Sequence, residues 1–325
     1  MKAIVYDRYG SVDVLRCEEI SQIPPRENEV LIRVHAASVN PLDWHFMRGT
    51  PRVMRLGTGL GKPRIPRLGV DVAGIIEAIG GKVTRFKPGD AVFGFCRGAF
   101  AEYVCAPESA LATKPDEVTF EHAAAVPIAA LTALQGLRDK GRMRSGQEVL
   151  VNGASGGVGT FTVQIAKYFG ADVTGVCSDR SADLVQSLGA DRVVDYTKQD
   201  FTRLGNRYDV FFDCIGNHSL SACRRVLNPR GKYIMIGGGA PNDSVLPMAV
   251  RMIRMPLMSL FVSQSFMTLM AKRSQQDLAT IAELMRTSRV TPVIDRCYSL
   301  HEFPDAIRYV EAGHARGKVI ISVLR

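Results

Sequence analysis

Small residues are concentrated in one stretch of the chain that could bind phosphate. The run Gly153 to Gly159 reads Gly-Ala-Ser-Gly-Gly-Val-Gly, between a β-branched run, Glu148 to Asn152, and an apolar helical pattern. Small side chains let backbone N–H groups approach a pyrophosphate, which also faces the positive end of the helix dipole. This spacing is typical of the first unit of a dinucleotide-binding sheet. The predicted contacts are Ala154, Ser155, Gly156, Gly157, Val158 and Gly159.

The next predicted strand, Asp172 to Cys177, ends in residues that bear on which nucleotide binds. NAD-dependent enzymes place a carboxylate about 20 residues beyond the glycines, where it binds the ribose 2′-hydroxyl. Asp179 lies near that position, but Ser178 and Arg180 beside it offer a hydroxyl and a guanidinium to a 2′-phosphate. Ser178 and Arg180 favour NADPH, and Asp179 keeps NADH as the alternative.

The periodicity of the chain predicts the elements that position these residues. Short strands and turns fill the first 120 residues or so and predict a β-barrel. Glu121 to Leu137 is helical with an interruption at Pro127. From Glu148 onward strands alternate with helices, and a sixth strand is predicted at Val290 to Val293. Such alternation predicts a doubly wound parallel sheet and an α/β fold.

Composition and charge exclude several classes of protein. The formal net charge is +9, but Lys and Arg are scattered, so nucleic acid is not the expected partner. Seven cysteines without a C-x-x-C pair argue against a disulfide framework or a structural zinc lobe. The sequence contains no signal-like leader and no apolar run of about 18 residues, so we expect no membrane span and a cytoplasmic protein.

Four motifs in order resemble the medium-chain dehydrogenase/reductase superfamily, in its zinc-free quinone oxidoreductase branch. They are Val34 to Trp44, Gly69 to Gly74, Lys87 to Val92, and Val149 to Gly159. The resemblance implies a GroES-like domain at 1–122, completed by 294–325, and a Rossmann domain at 123–293. It further implies an active-site cleft at their junction and a homodimer.

Two positions of the resemblance argue against catalytic zinc. Zinc alcohol dehydrogenases of the superfamily carry Cys where this chain has Asn40, and Gly-His-Glu where it has Gly69-Val70-Asp71. An amide and a valine cannot replace a thiolate and an imidazole. Without a Lewis acid the expected substrate is already electrophilic, either a quinone or an α,β-unsaturated carbonyl.

The resemblance also implies roles for residues outside the glycine turn. Asn40 and His45 would face the substrate, and His45 would donate a proton or bind the developing oxyanion. A histidine that only packs is the competing interpretation. The residues implied at the cofactor are Thr132, Tyr196, Gly237, Gly238 and Lys318, where Tyr196 would join Ser178 and Arg180 around the 2′-phosphate.

Two further segments carry less specific predictions. Arg52 to Arg67 is rich in Gly, Pro and basic residues, and we interpret it as a mobile surface loop that could cover a cleft. The Met-rich stretch Met248 to Met270 is interpreted as core or dimer filling, with an acceptor wall or a membrane-touching face as alternatives.

Taken together, the sequence predicts an NADPH-dependent, zinc-independent oxidoreductase that transfers a hydride to a quinone or an enone. An NADH-dependent enone reductase is the alternative enzyme. A protein that binds NADPH without turnover, as a sensor or an RNA-binding protein, is the alternative outside catalysis.

Overall fold

Runs of β-branched and aromatic residues form the strands of the computed structural model, which describes residues 1–236 and 245–324. The strands are β1 (Lys2–Val5), β2 (Arg16–Glu19), β3 (Glu29–Val39), β4 (Asp71–Ile79), β5 (Ala91–Phe95), β6 (Tyr103–Pro107), β7 (Leu111–Thr113), β8 (Glu148–Asn152), β9 (Asp172–Cys177), β10 (Arg192–Asp195), β11 (Tyr208–Asp213), β12 (Leu227–Met235), β13 (Ser265–Thr268), β14 (Ile294–Ser299) and β15 (Lys318–Ser322). The helices are α1 (Pro41–Arg48), α2 (Arg55–Thr58), α3 (Phe120–Ala124), α4 (Pro127–Gln135), α5 (Gly157–Tyr168), α6 (Ala182–Ser187), α7 (Leu220–Arg225), α8 (Val245–Phe261), α9 (Gln275–Arg286) and α10 (Phe303–Glu311).

The first unit of the chain comprises residues 1–131 and 273–325. Its main sheet has the order β14-β15-β3-β4-β5-β7, with β6 also paired to β3. Strand β3 lies in the middle of this sheet, where it pairs with β4, β6 and β15. Its residues Val30, Ile32 and Val34 bury their side chains in the core. Helix α10 adds Phe303, whose ring lies 4.3 Å from that of Phe100.

The second unit comprises residues 132–272 and contains a parallel sheet with the order β10-β9-β8-β11-β12-β13. If β8 is counted as the first strand of this sheet, the order is 3-2-1-4-5-6. This is the doubly wound pattern, in which the direction of winding reverses between β8 and β11. The predicted α/β fold, a GroES-like domain with a Rossmann domain, is confirmed. Ligands of such sheets bind at the carboxyl ends of the strands beside that reversal.

The predicted sixth strand, Val290 to Val293, is wrong. The sixth strand of this sheet is β13, where Phe266 is buried and pairs in register with Tyr233 of β12. Pro292 has no N–H to donate to a ladder, which explains why an apolar run there does not form a strand. The first unit resumes at Arg273, and the domain boundary after Val293 stays a prediction.

Pro127 separates two helices, as its position in the sequence predicted. Helix α3 ends at Ala124, and α4 begins at Pro127 itself, where a missing N–H costs nothing. The Met-rich stretch, Met248 to Met270, covers most of α8 and all of β13. On α8, Met255 is buried while Met252 is half exposed. Within the described residues, none of the helices has the length and hydropathy that a bilayer span requires.

The basic segment from Arg52 to Arg67 contains more regular structure than the predicted loop. It includes a 3₁₀ turn, Arg52–Met54, followed by α2. The guanidinium of Arg55 lies over the ring of Tyr9 and donates to the carbonyl oxygen of Gly49. These contacts anchor the segment to the first unit, although Leu56 and Leu60 remain exposed.

Candidate functional site

The glycine turn connects β8 to α5 in the second unit. Gly153 adopts a φ of +83°, and a Cβ atom on Gly159 would lie 2.0 Å from the carbonyl oxygen of Gly153. Only glycine at position 159 therefore lets the helix begin so close to the turn. The N–H groups of Gly157, Val158 and Gly159 have no carbonyl four residues earlier within α5. N–H groups of this kind at the start of a helix can bind an anion, so the predicted pyrophosphate contact of this turn stays a prediction.

Beside this turn a buried polar network holds the end of β11. Asn152 donates to Asp213 at 3.0 Å, and the hydroxyl of Tyr233 donates to the same carboxylate at 2.7 Å. Arg251 of α8 donates to the Tyr233 hydroxyl and lies 4.0 Å from Asp213. Asp213 also accepts the N–H of Gly216. The network was not predicted, although Asn152 and Asp213 both end a predicted strand.

The residues predicted around a 2′-phosphate follow two adjacent strands. Ser178 and Arg180 come directly after β9, and Tyr196 comes directly after β10. The N–H of Tyr196 donates to the carbonyl oxygen of Cys177 at 3.1 Å, which joins the two strand ends. The structure therefore brings these segments together at the edge where such sheets bind ligands.

Sequence reasoning missed a cation at this edge. The ammonium of Lys198 donates to the carboxylate of Asp179 at 2.9 Å and lies 3.4 Å from that of Asp195. The carboxylate that argued for NADH is thus paired with a positive charge. The available signal was the position of Lys198, three residues beyond the end of β10.

In the first unit, Asn40 is the centre of a buried hydrogen-bond network. Its Nδ2 donates to Asp71 at 2.9 Å and to the carbonyl oxygen of Ser38, and its Oδ1 accepts Lys318 Nζ at 2.6 Å. Asp71 also accepts the Ser38 hydroxyl and the N–H of Ile128, the second residue of α4. Asn40 is 2% exposed. The network fixes the starts of α1 and α4 against β4.

Lys318, for which a contact with the cofactor was predicted, is buried in the first unit. It is 4% exposed, and its ammonium is engaged by Asn40 and lies 3.8 Å from Asp71. Burial lowers the pKa of Lys318, and the negative charge of Asp71 opposes that shift. In this arrangement Lys318 compensates a buried carboxylate inside the first unit.

Asp43 is a second buried carboxylate, in the first turn of α1. It accepts the N–H of Asn40 at 2.8 Å, as in a capping box, and the N–H of Gly69 at 3.0 Å. Burial raises the pKa of Asp43 to about 7, although both hydrogen bonds act in the opposite direction. Asp43 therefore changes its charge near neutral pH.

His45 lies on α1, and its ring is constrained from two sides. The ring stacks on Trp44 with centroids 3.6 Å apart, and Nδ1 lies 2.8 Å from the carbonyl oxygen of Thr50. Nδ1 must carry the hydrogen because a carbonyl oxygen only accepts, so Nε2 of the neutral ring has none. Burial lowers the pKa of His45. The neutral ring can accept a hydrogen bond at Nε2 but has no proton to donate there.

Three further residues, Thr132, Gly237 and Gly238, were predicted at the cofactor. Thr132 is buried on α4. Gly237 and Gly238 lie outside the described residues. Among the described residues, no three His, Cys, Asp or Glu side chains are grouped so that they could hold a metal ion.

Comparison with known proteins gives two matching family models. A model described as an alcohol dehydrogenase GroES-like domain matches residues 26–116, and one described as a zinc-binding dehydrogenase matches residues 188–321. The first lies within the first unit of the structure. The second begins in the second unit and ends in β15.

Relatives and solved structures cover the whole chain. A 2-methylene-furan-3-one reductase of Solanum lycopersicum is 35% identical over 99% of this chain and 79% of its own. A chloroplastic NADPH-dependent alkenal/one oxidoreductase of Arabidopsis thaliana is 34% identical over the same shares. The structure of a quinone oxidoreductase from Coxiella burnetii matches with a TM-score of 0.88 and 28% identity, covering 100% of this chain and 99% of that one.

Proposed function

Because the chain belongs to the medium-chain dehydrogenase/reductase superfamily, in its quinone oxidoreductase-like branch, we propose that it is an NADPH-dependent reductase of quinones or α,β-unsaturated carbonyls that works without zinc. The names of its relatives support the reaction and the substrate class. The observation that carries the zinc-free part of the proposal is the ammonium of Lys318 on the amide oxygen of Asn40.

NADPH bound to the second unit would supply the hydride. The N–H groups at the start of α5 would hold its pyrophosphate, because Gly153 and Gly159 keep the turn free of side chains. Ser178, Arg180 and Tyr196 would hold its 2′-phosphate. The competing NADH-dependent reductase is supported by the carboxylate of Asp179, which could accept a hydrogen bond from the ribose 2′-hydroxyl.

The groups around Asn40 are poorly suited to zinc. Zinc sites in proteins use thiolate, imidazole and carboxylate ligands, whereas Asn40 supplies an amide and Val70 supplies no ligand atom. The carboxylate of Asp71 already accepts hydrogen bonds from Asn40, Ser38 and Ile128. Asn40 Oδ1 already accepts Lys318, so a metal would have to compete with a buried ammonium for that oxygen. Without a Lewis acid, a conjugated carbonyl is the suitable acceptor because it delocalises the charge that the hydride delivers.

Asn40 and His45 have different parts in this proposal. The amide of Asn40 is engaged by Ser38, Asp71 and Lys318, so Asn40 acts as a positioning residue for α1. Nε2 of His45 is an acceptor in the neutral ring, so it would hold a water molecule rather than the carbonyl oxygen of a quinone or enone, which has no hydrogen to donate. Solvent then supplies the proton that completes the reduction.

A homodimer is also part of the proposal, and its support is the exposed face of α8. Met252, Ile253, Leu257, Leu260 and Phe261 are all at least 50% exposed. Neighbouring β13 is an edge strand of its described sheet, with backbone groups available for pairing with a second copy.

The dimer is tested by sedimentation. The Leu257→Glu/Leu260→Glu variant should sediment as a monomer. Leu204→Glu, at an exposed position between the 3₁₀ turn Phe201–Arg203 and β11, should not change the mass. A wild-type monomer would refute the dimer.

A cytoplasmic location stays a prediction, since the Arabidopsis relative is chloroplastic by name.

The reaction is tested with purified protein, a panel of quinones and enones, and each nicotinamide cofactor. We expect NADPH consumption with both acceptor classes, slower turnover with NADH, and no effect of a chelator. A chelator-sensitive rate on simple alcohols would contradict the zinc-free proposal. Tight NADPH binding without turnover of any acceptor would favour the non-catalytic alternative.

A further inference from the structure

Lys198 and Asp179 form an ion pair at the place where the nucleotide would be discriminated. The register of β9 and β10 pairs Cys177 with Asp195, so the segments after the two strands run side by side. Lys198 Nζ then reaches Asp179 Oδ1 at 2.9 Å. From this geometry we propose that Lys198 determines the preference for NADPH by neutralising Asp179, an inference that rests on the proposed function.

The pair has little to do for stability. The side chains of Lys198 and Asp179 are 61% and 72% exposed. Ion pairs this exposed contribute little to folding, because solvent screens them and ordering two long side chains costs entropy. The pair can therefore be altered without unfolding the second unit, and its main effect is on the local charge.

That local charge decides which nucleotide is accepted. A 2′-phosphate carries close to two negative charges at neutral pH. An unpaired Asp179 would repel it and would accept a hydrogen bond from the 2′-hydroxyl of NADH. With Lys198 paired to Asp179, the charge of that carboxylate is neutralised by the ammonium at 2.9 Å. The second carboxylate near Lys198, Asp195, is engaged by Thr197 through its other oxygen.

The inference predicts that charge at position 198 matters only while Asp179 is charged. Lys198→Met should weaken binding of the 2′-phosphorylated nucleotide about tenfold or more, as expected for loss of a charge-assisted contact. Asp179→Asn should restore much of that binding in the double variant. Lys198→Met should not weaken binding of a nucleotide without the phosphate, because the freed Asp179 can accept the 2′-hydroxyl.

The test is calorimetry with 2′,5′-ADP and 5′-AMP on the full chain, which requires no turnover. Lys167→Met is the matched control, because Lys167 pairs with Asp191 before β10, at the opposite end of that strand. Loss of the preference in Lys198→Met with its recovery in the double variant supports the inference. An unchanged preference in Lys198→Met overturns it, while equal affinity of the wild type for both probes would instead contradict the proposed use of NADPH.

Discussion

The ammonium of Lys318 lies 2.6 Å from the amide oxygen of Asn40, inside the first unit. Asp71, which is fully buried, lies 3.8 Å from the same ammonium. A residue near the end of the chain thus provides the cation for a carboxylate on β4. Asn40, whose amide bonds to both, links that pair to the start of α1.

Removal of this cation should destabilise the fold. Lys318→Met leaves the carboxylate of Asp71 buried without a counter-charge, which in other proteins costs about 3–5 kcal/mol. We expect a loss of that order in the free energy of unfolding, measured by chemical denaturation. The Lys318→Met/Asp71→Asn double variant should recover part of it, because neither charge then remains. A fully stable Lys318→Met variant that only loses affinity for NADPH would show instead that Lys318 acts at the cofactor.

Asp43 should make stability depend on pH. Its pKa is about 7 in the folded protein, against an ordinary value of 3.8. A carboxyl group with a raised pKa binds its proton more tightly when folded, so its contribution to stability is complete below the ordinary pKa. That contribution is lost as the pH rises towards the folded value, by at most about 1.4 kcal/mol per pH unit.

Denaturation between about pH 4 and pH 7 measures this effect. The free energy of unfolding should fall more steeply with pH in the wild type than in Asp43→Asn, which cannot ionise. Asp305→Asn, at an exposed position on α10, is the control and should keep the wild-type slope. Equal slopes in the wild type and Asp43→Asn would contradict the assignment.

Gly159 should be essential for nucleotide binding. In Gly159→Ala the new methyl group would meet the carbonyl oxygen of Gly153 at 2.0 Å, so the turn or the start of α5 must shift. We expect at least a tenfold loss of NADPH affinity, since about 1.4 kcal/mol is enough for that factor. Gly81→Ala, whose Cβ would meet nothing within 4 Å, should bind NADPH as the wild type does. Normal affinity in Gly159→Ala would remove the turn from the cofactor site.

His45 should not act as the proton donor. Burial lowers its pKa below the ordinary 6.5, so the ring is neutral at pH 7, and its one hydrogen faces Thr50. His45→Gln should therefore leave the shape of the pH–rate profile unchanged through that pH range, even if the rate falls through an altered acceptor orientation. The profile is measured as kcat/KM with a quinone as acceptor. If kcat/KM of the wild type changes with pH near the ordinary histidine pKa and that change is missing in the variant, His45 acts as an acid.

The parts of the fold that are encoded locally could be predicted from the sequence. The glycine turn and α5 follow from small residues and apolar periodicity over adjacent positions, and Pro127 marks the start of α4. The strand predicted at Val290 to Val293 was wrong because the prediction rested on apolar residues alone, whereas Pro292 has no N–H to pair with a neighbouring strand. Strand β13 gave little signal, since its side chains alternate only over four residues.

The parts of the site that depend on distant contacts could not be predicted. Lys318 and Asn40 are far apart in the sequence, and only the pairing of β15 with β3 brings them together. Lys198 was missed for the same reason, since its position beside Asp179 follows from the register of β9 and β10. Charge compensation of this kind depends on tertiary contacts, so the periodicity of apolar residues along the sequence does not reveal it.

Transfer of an isotopic label tests directly whether NADPH delivers a hydride to the acceptor without zinc. NADPH deuterated at C4 of the nicotinamide is incubated with the metal-free protein and an enone, and the product is analysed by mass spectrometry. We expect one deuterium at the β-carbon of the saturated ketone, from one of the two C4 faces, with a chelator present throughout. A saturated product without label from either face, or no product until zinc is added, would contradict it.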